Sequence, residues 1–295
     1  MLYKYSNGNA IVQIDEDGTR TIEYDDELKL EYPLNIDIRV QTICPLGYNP
    51  KTGKAVCDFC HESATTDGTE CNYDVLLNKL SELPQGIELA IGCNVFTDQL
   101  YDFLKECYSR GYICNLTVNQ LSINKFANNL QDAVEKNYVK GIGLSYRSIA
   151  DFKIPTFFKD YENTVVHVIA GIDDINEVMK LDTKKILVLG EKDFGFNKGR
   201  VNLNSFNHRQ WFMYIRKLFD IFEVVSFDNL ALEQLKIKRF LPDDEYNRFY
   251  QGEHSFYINA VTQTYSRSSR SADIIPWNIS IKDYFKTIED QSWVS

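Results

Sequence analysis

Ile87-Glu88-Leu89-Ala90-Ile91-Gly92, then Asp98 through Arg110, then Tyr112-Ile113-Cys114-Asn115-Leu116-Thr117-Val118 form the stretch on which the fold turns. The outer segments are short apolar runs of strand length. Between them Leu100, Phe103, Leu104 and Cys107 recur at the spacing of one helix face, and Gly111 supplies a stop just after it. Strand, helix, strand in one short stretch reads as a parallel pair joined by a right-handed crossover.

The same rhythm continues outward in both directions. Upstream lie the strand-like run Ile36–Cys44, a loop containing Gly, Pro and Lys, and helix-like Tyr73–Leu83. Downstream come helix-like Ile123–Lys136, strand-like Gly141–Ser145 and a weaker segment at Pro155–Tyr161. Then come Thr164–Gly171 with Ile175–Leu181, Lys185–Gly190 with His208–Phe222, and a last run Glu223–Phe227 leading into Asp228-Asn229. Such alternation predicts an α/β fold with a parallel sheet. Six or seven units over about 190 residues suit a partial (β/α)6-type barrel better than a closed eightfold one, which takes about 250. Ala10–Ile14 and Thr19–Tyr24 alternate apolar and polar across Asp15-Glu16-Asp17-Gly18, the pattern of a β-hairpin. With the extended stretch Lys29–Tyr32, they make residues 1–35 an N-terminal appendage. Residues 36–230 hold the barrel units. Residues 231–295 are a C-terminal extension expected to cap them.

Size and composition agree with one large domain: 295 residues, 44% hydrophobic and 13% aromatic, enough for a sizeable core. A formal net charge of −10 argues against broad binding to nucleic acid or acidic lipid. No run approaches the roughly 18 apolar residues of a membrane span. Met1 to Gly8 lacks the basic start and apolar stretch of a signal peptide. The expectation is a soluble, cytoplasmic protein without a membrane partner. In that compartment its seven cysteines are free thiols, metal ligands or catalytic groups rather than disulfides.

Three of them stand out: Cys44, Cys57 and Cys60. Cys57-Asp58-Phe59-Cys60 turns two sulfurs toward one centre, and Cys44 lies where the first strand ends, at the carboxyl edge where α/β barrels place their chemistry. Three thiolates suit an iron–sulfur cluster with one iron left open, or three-quarters of a zinc site completed by His61 or Cys71. Cys57-x-x-Cys60-His61 also spells a c-type haem attachment signal, but no export signal accompanies it. Cys107 and Cys114 fall at apolar positions of a helix and a strand, as core residues do. His167 reads as a hydrogen-bonded structural histidine. Lys192, Asp228 and Asn229 come after late strands and either face a pocket or cap helices.

The cysteine segment resembles the radical S-adenosylmethionine (SAM) superfamily, in which three cysteines, commonly spaced C-x3-C-x2-C, follow the first barrel strand. Cys57-Asp58-Phe59-Cys60 reproduces the second half, including the aromatic before the last cysteine. The first spacing departs from the pattern, with twelve residues between Cys44 and Cys57, an enlarged first loop. Three further strand ends are similar to the family's SAM contacts. Ala90-Ile91-Gly92-Cys93-Asn94 stands where a Gly-Gly-Glu-like turn binds the SAM amino group. Gly92 matches, while Cys93 and Asn94 do not, so backbone carbonyls or the Asn94 side-chain oxygen would have to serve. Ser145 and Arg147 come after the fourth strand, where relatives hold ribose or carboxylate. Ile169 and Gly171, with Asp174, keep part of a G-x-I-x-G-x-x-E pattern beside the adenine. The segments around Ser226–Ala231 and Phe249–His254 resemble those of phage-associated radical SAM proteins.

The resemblance implies a [4Fe–4S] cluster on Cys44, Cys57 and Cys60, with SAM on its open iron. Phe59, Gly92, Cys93, Asn94, Ser145, Arg147, Ile169 and Gly171 would surround the cofactor. The reaction implied is reductive cleavage of SAM to a 5′-deoxyadenosyl radical, which takes hydrogen from a substrate the sequence does not name. It also implies a flavodoxin- or ferredoxin-type electron donor. In the extension, Phe249, Tyr250, Phe256 and Tyr257 are expected across the barrel opening, with Glu253 and His254 offered to substrate. The Ser/Arg stretch 266–271 is expected as a mobile lid or a phosphate contact. A non-enzymatic, zinc-stabilised α/β binding protein is the alternative of a different class.

Overall fold

The computed structural model describes residues 2–16, 18–147, 154–243, 246 and 254–291. Phe249, Tyr250 and Glu253 lie outside the described residues.

An antiparallel sheet of β1 (Tyr3–Asn7), β2 (Ala10–Ile14) and β3 (Arg20–Tyr24) opens the chain. The expected hairpin is β2–β3, and β1 joins it as a further strand. Lys29–Tyr32 forms no strand. Val12, Ala10 and Ile14 bury one face of this small sheet. Arg20 forms an ion pair with Glu88 at the start of the large sheet's second strand in chain order. Leu2, Ile14 and Gly18 face the amino ends of the large sheet's strands beside a cavity of about 360 Å³.

The main body alternates as the sequence predicts. It contains β4 (Asn35–Arg39), a two-stranded excursion β5 (Ile43–Asn49) and β6 (Lys54–Ala55), α1 (Tyr73–Leu80), β7 (Glu88–Cys93), α2 (Asp98–Ser109), β8 (Ile113–Asn119), α3 (Gln120–Lys125), α4 (Ala127–Glu135) and β9 (Gly141–Ser145). Next come α5 (Thr156–Asp160), β10 (Thr164–Ile169), α6 (Ile175–Val178), β11 (Lys185–Leu189), α7 (Phe206–Tyr214), α8 (Leu218–Ile221), β12 (Val224–Phe227) and α9 (Asn229–Gln234). The helix expected over Ile123–Lys136 is two helices broken at Phe126, because Asn119 caps the first from one turn earlier, accepting from Leu121 and Ser122 N–H.

Among the described residues the central sheet has ten strands in the order β12-β11-β10-β9-β8-β7-β4, then β13 (Ser255–Asn259), β14 (Thr264–Ser266) and β15 (Ile274–Pro276). All neighbours from β12 to β13 pair in parallel, and the last two strands are antiparallel. The chain is therefore mixed α/β around a large, mostly parallel sheet, with β12 and β15 at its two edges. The C-terminal extension differs from expectation. Its strands continue the sheet beside β4, with α10 (Ile281–Gln291) after them. Ser255 to Asn259 pairs residue for residue with Asn35 to Arg39.

Strand alternation separates two faces. Ile36 and Ile38, Leu89 and Ile91, Leu116 and Val118, Ile142 and Leu144, Val166 and Val168, and Ile186 and Val188 are all buried within the main core. The intervening positions carry Asp37, Ala90, Gly92, Thr117, Gly143 and His167. Gly143 is required where it is: a Cβ there would lie 2.5 Å from the His167 ring.

Candidate functional site

The first strand is shorter than the expected Ile36–Cys44: β4 ends at Arg39, and Cys44 lies five residues on, in β5, within the loop that begins there. Buried Gln41 ties it to the turn after β7: its Nε2 donates to the Glu70 carboxylate at 2.6 Å and the Val95 carbonyl at 2.7 Å. Its Oε1 accepts from the Asn94 and Val95 N–H groups. The twelve residues between Cys44 and Cys57 fold into the β5–β6 hairpin, with Tyr48 opposite Ala55 and Asn49 opposite Lys54. The hairpin returns the chain to its origin, so that the Val56 and Cys57 N–H groups both donate to the Leu46 carbonyl, at 3.1 and 2.9 Å. Cys44, Leu46 and Ala64 form a small buried cluster with Cys57 and Cys60 packed against it.

A second loop, after β11, holds the cysteine loop from the far side. Phe196 N–H donates to the Cys60 carbonyl at 3.0 Å, and Arg200 Nη1 donates to the Asp58 carbonyl at 3.0 Å. At Gly195 (φ +58°) a Cβ would lie 2.3 Å from the His61 carbonyl oxygen, so only glycine allows this approach.

The three thiols line one cavity of about 470 Å³. Residues from seven strands or their carboxyl ends reach it: Asp37 from β4, Gly92 from β7, Thr117 from β8, Ser145 from β9, His167 from β10, Leu187 from β11 and Tyr257 from β13. Same-face side chains from so many neighbouring strands share one volume only if the sheet curls around it. Phe59, Asn94, Arg147 and Ile169 also line the cavity, so nine of the eleven residues expected at the metal and cofactor meet there.

Two expected contacts are corrected. Cys93 falls on the other face of β7, in phase with Leu89 and Ile91, and is buried in the core at 1% exposure. Gly171 is not among the lining residues. It takes φ +93° in the turn after β10, and a Cβ there would meet His208 Nδ1 at 2.6 Å and Glu191 Oε2 at 3.0 Å. The Asn94 carbonyl is also taken, by the Asn119 amide at 2.8 Å and the Ser122 hydroxyl, so the Asn94 side chain, which makes no hydrogen bond among the described residues, is its remaining acceptor. Of the late-strand residues, Lys192 and Asp228 line the cavity and Asn229 does not. Asp228 also caps α9, accepting from Ala231 and Gly190 N–H.

Burial pushes the Cys44 thiol up to about 11. Burial raises Cys57 as well, opposed by the charge and hydrogen bond of Arg147. That guanidinium stands 5.0 Å from the Phe59 ring centroid and 3.9 Å from Asp173 Oδ2. His61 is held well below the usual imidazole value by burial and by Lys192, whose Nζ lies 3.2 Å from His61 Nε2. Burial, reinforced by Arg147, carries His167 down to about 4, so its ring is neutral near pH 7.

Sequence reading missed Asp37, Thr117, Glu62 and Glu191 as lining residues; of the residues singled out in the extension, Tyr257 and Ser269 line the cavity, whereas Phe256 is buried in the main core. A signal was present for two of them. Ile36-Asp37-Ile38 and Leu116-Thr117-Val118 each place one polar residue between apolar ones in a buried strand, and Val166-His167-Val168 repeats the pattern. Among the described residues, no three His, Cys, Asp or Glu side chains are grouped tightly enough to hold a single ion. A cubane cluster needs thiolates spread around it rather than meeting at one point, so its fit rests on the donor set. That set is three thiols at one end of a cavity, with Arg147 beside one of them to offset added negative charge. It suits such a cluster. No protein-family model matches the chain, and no curated protein matches it either.

Proposed function

We propose that the chain is a radical SAM enzyme whose Cys44, Cys57 and Cys60 hold a [4Fe–4S] cluster in a partial barrel. The observation that carries this reading is the hairpin closure. It returns Cys57 to Leu46, the residue two after Cys44, so three thiols at an unusual spacing in sequence line one cavity at the carboxyl ends of the parallel strands. The cavity beyond the thiols supports it, because Gly92, Asn94, Ser145, Arg147 and Ile169 come from the ends of the second, fourth and fifth parallel strands, in the order the resemblance implies.

With both groups bound, the cluster would supply one electron to SAM, and the resulting 5′-deoxyadenosyl radical would take hydrogen from substrate. The chain's own residues provide the setting. Cys44, Cys57 and Cys60 would leave one iron open. Gly92 leaves room, since a Cβ there would meet no atom within 4 Å. Asn94 offers an acceptor oxygen and Ser145 a hydroxyl, while the Phe59–Arg147 stack walls the cluster end. Ile169, Leu187 and Leu189 contribute apolar wall, which limits water around a reactive intermediate. A flavodoxin- or ferredoxin-type protein would deliver the electron.

Anaerobic reconstitution with iron and sulfide, then addition of SAM and reductant, tests this. About four irons per chain and release of 5′-deoxyadenosine are expected. Serine at Cys44, Cys57 or Cys60 should abolish release, whereas Cys107→Ser should keep it. One tightly held zinc with no iron uptake would overturn the reading in favour of a zinc-stabilised binding protein.

A further inference from the structure

Among the described residues four carboxylates line the large cavity, and three of them are spoken for. Glu62 pairs with Arg39 at 3.4 Å and accepts from the Tyr257 hydroxyl at 3.3 Å. Glu191 accepts from the Asn197 amide at 3.1 Å. Asp228 accepts two backbone N–H groups. Asp37 is the exception: among the described residues it makes no hydrogen bond or ion pair. It faces the open volume from the middle of β4 and is exposed to it, while its neighbours Ile36 and Ile38 are buried on the opposite face.

The cations divide in the same way. Arg147 is committed to Asp173, the Phe59 ring and Cys57. Among the described residues Lys192 contacts only neutral partners, with its Nζ 3.2 Å from both His61 Nε2 and Ser269 Oγ. Among the carboxylates around it, Asp228 acts on Lys192 most, then Glu62 and Asp37, and among the described residues none of them forms an ion pair with it within 4.0 Å. The described residues therefore leave one unpaired carboxylate and one unpaired ammonium across an open gap. Asp37 is open to the cavity and Lys192 is half-buried, so a ligand bridging them would exchange cavity water for charge-assisted hydrogen bonds at both ends.

We propose that Asp37 and Lys192 are the two poles of a substrate subsite, taking a small molecule that offers N–H donors to Asp37 and an oxygen acceptor to Lys192. The proposal rests on the radical SAM reading only in calling this occupant the substrate. Two sources carry that chemistry: a free α-amino acid, with ammonium and carboxylate, and a nucleobase edge, with adjacent N–H and C=O. Thr117 and Tyr257 line the same volume and add hydroxyls for either.

Saturation-transfer NMR with SAM present tests it on the reconstituted protein, with a pool of L-amino acids in one arm and guanine, adenine, uracil and cytosine in the other. Binding is expected in one arm, which identifies the source. Asp37→Asn and Lys192→Met should each weaken that binding by about tenfold or more, the factor for one charge-assisted hydrogen bond. SAM affinity should stay within about twofold. Asp37→Asn is nearly isosteric and removes an unpaired charge, so its Tm should not fall, and a thermal melt confirms the folded state. Absence of binding in both arms at millimolar probe overturns the proposal. So does an equal loss of SAM affinity in Asp37→Asn, which would assign the pair to the cofactor. The metal-free protein separates the two readings. Probe binding that depends on Asp37 in a chain that never takes up iron sinks the radical SAM reading alone. Iron and SAM binding without any probe sinks the subsite alone.

Discussion

The Cys57 N–H donates to the Leu46 carbonyl at 2.9 Å, which sets Cys57 beside the residue two after Cys44. The hairpin between them is a detour that rejoins its starting point, so the sulfurs' proximity depends on how well its base is clamped. Gly47 is part of the clamp: a Cβ there would lie 2.4 Å from the Ala64 carbonyl oxygen. Gly47→Val should push β5 off Ala64 and lower reconstituted iron per chain several-fold. Far-UV circular dichroism should be unchanged, because Cys44, Leu46 and Ala64 form a cluster separate from the main core. A full iron complement in this variant would refute the clamp.

Gly92 gives the opposite kind of test, since a Cβ there touches nothing. Gly92→Phe should fold, and replacing a strand glycine should gain roughly 0.5–1 kcal/mol of stability. Its ring would fill space assigned to the cofactor. Iron content should therefore match the wild type while SAM affinity falls by about tenfold or more, as equilibrium dialysis would read. Unaltered SAM binding would remove Gly92 from the site.

The Arg147 guanidinium opposes the rise that burial imposes on Cys57. Removing it in Arg147→Met should move Cys57 further up, so that in metal-free protein alkylation by iodoacetamide requires more alkaline pH than in wild type. Cys44, which burial raises to about 11 despite the Leu46 and Gly47 N–H groups that lower it, should have the same alkaline profile in both proteins. Peptide-resolved mass spectrometry across pH measures both. Coincident Cys57 profiles would count against the contact.

Legibility in the sequence tracks the strength of the local pattern. Gly141–Ser145 is both the expected and the observed strand, and α2 ends within one residue of expectation, because period-2 and helical spacings were unambiguous there. The thiol set was legible from its own chemistry. The face of each strand residue was less so: Cys93 sits next to Gly92, and only the phase of alternation sends one to the core and the other to the cavity. Asp37 was passed over inside a run read as one apolar strand. The tail was hardest, since β14 and β15 have three residues each and their place beside β4 is a long-range pairing no local window contains.

Burial raises Asp173 from 3.8 to about 6. Its pKa is thus higher folded than unfolded, so rising pH ionises it at the fold's expense. The penalty is absent below about 4 and complete above about 6, at no more than about 3 kcal/mol. Asp173→Asn, which keeps an acceptor for the Ile169 N–H, should melt with the wild type at low pH and above it at pH values over 6. Parallel Tm profiles across that window would contradict the assignment.

The C-terminal extension supplies the last test. A detachable cap could be removed with loss of coupling alone, but β13 pairs along the whole of β4, and the segments beyond β13 are part of the core. Phe256, Ile258, Tyr265, Ile281 and Phe285 are each at most 1% exposed. At about 1.5–3 kcal/mol per buried side chain, their loss is on the order of 10 kcal/mol, comparable to the whole stability of a typical domain. Truncation before Ser255 should therefore give unfolded or aggregated protein, because it also bares the β4 edge. Point changes at the cavity should not. Ser269→Ala removes one hydroxyl that contacts Lys192 at 3.2 Å and should fold with a Tm close to wild type. If the truncated chain stays monomeric with a cooperative melt, the extension is a separable cap and its strands are dispensable to the sheet.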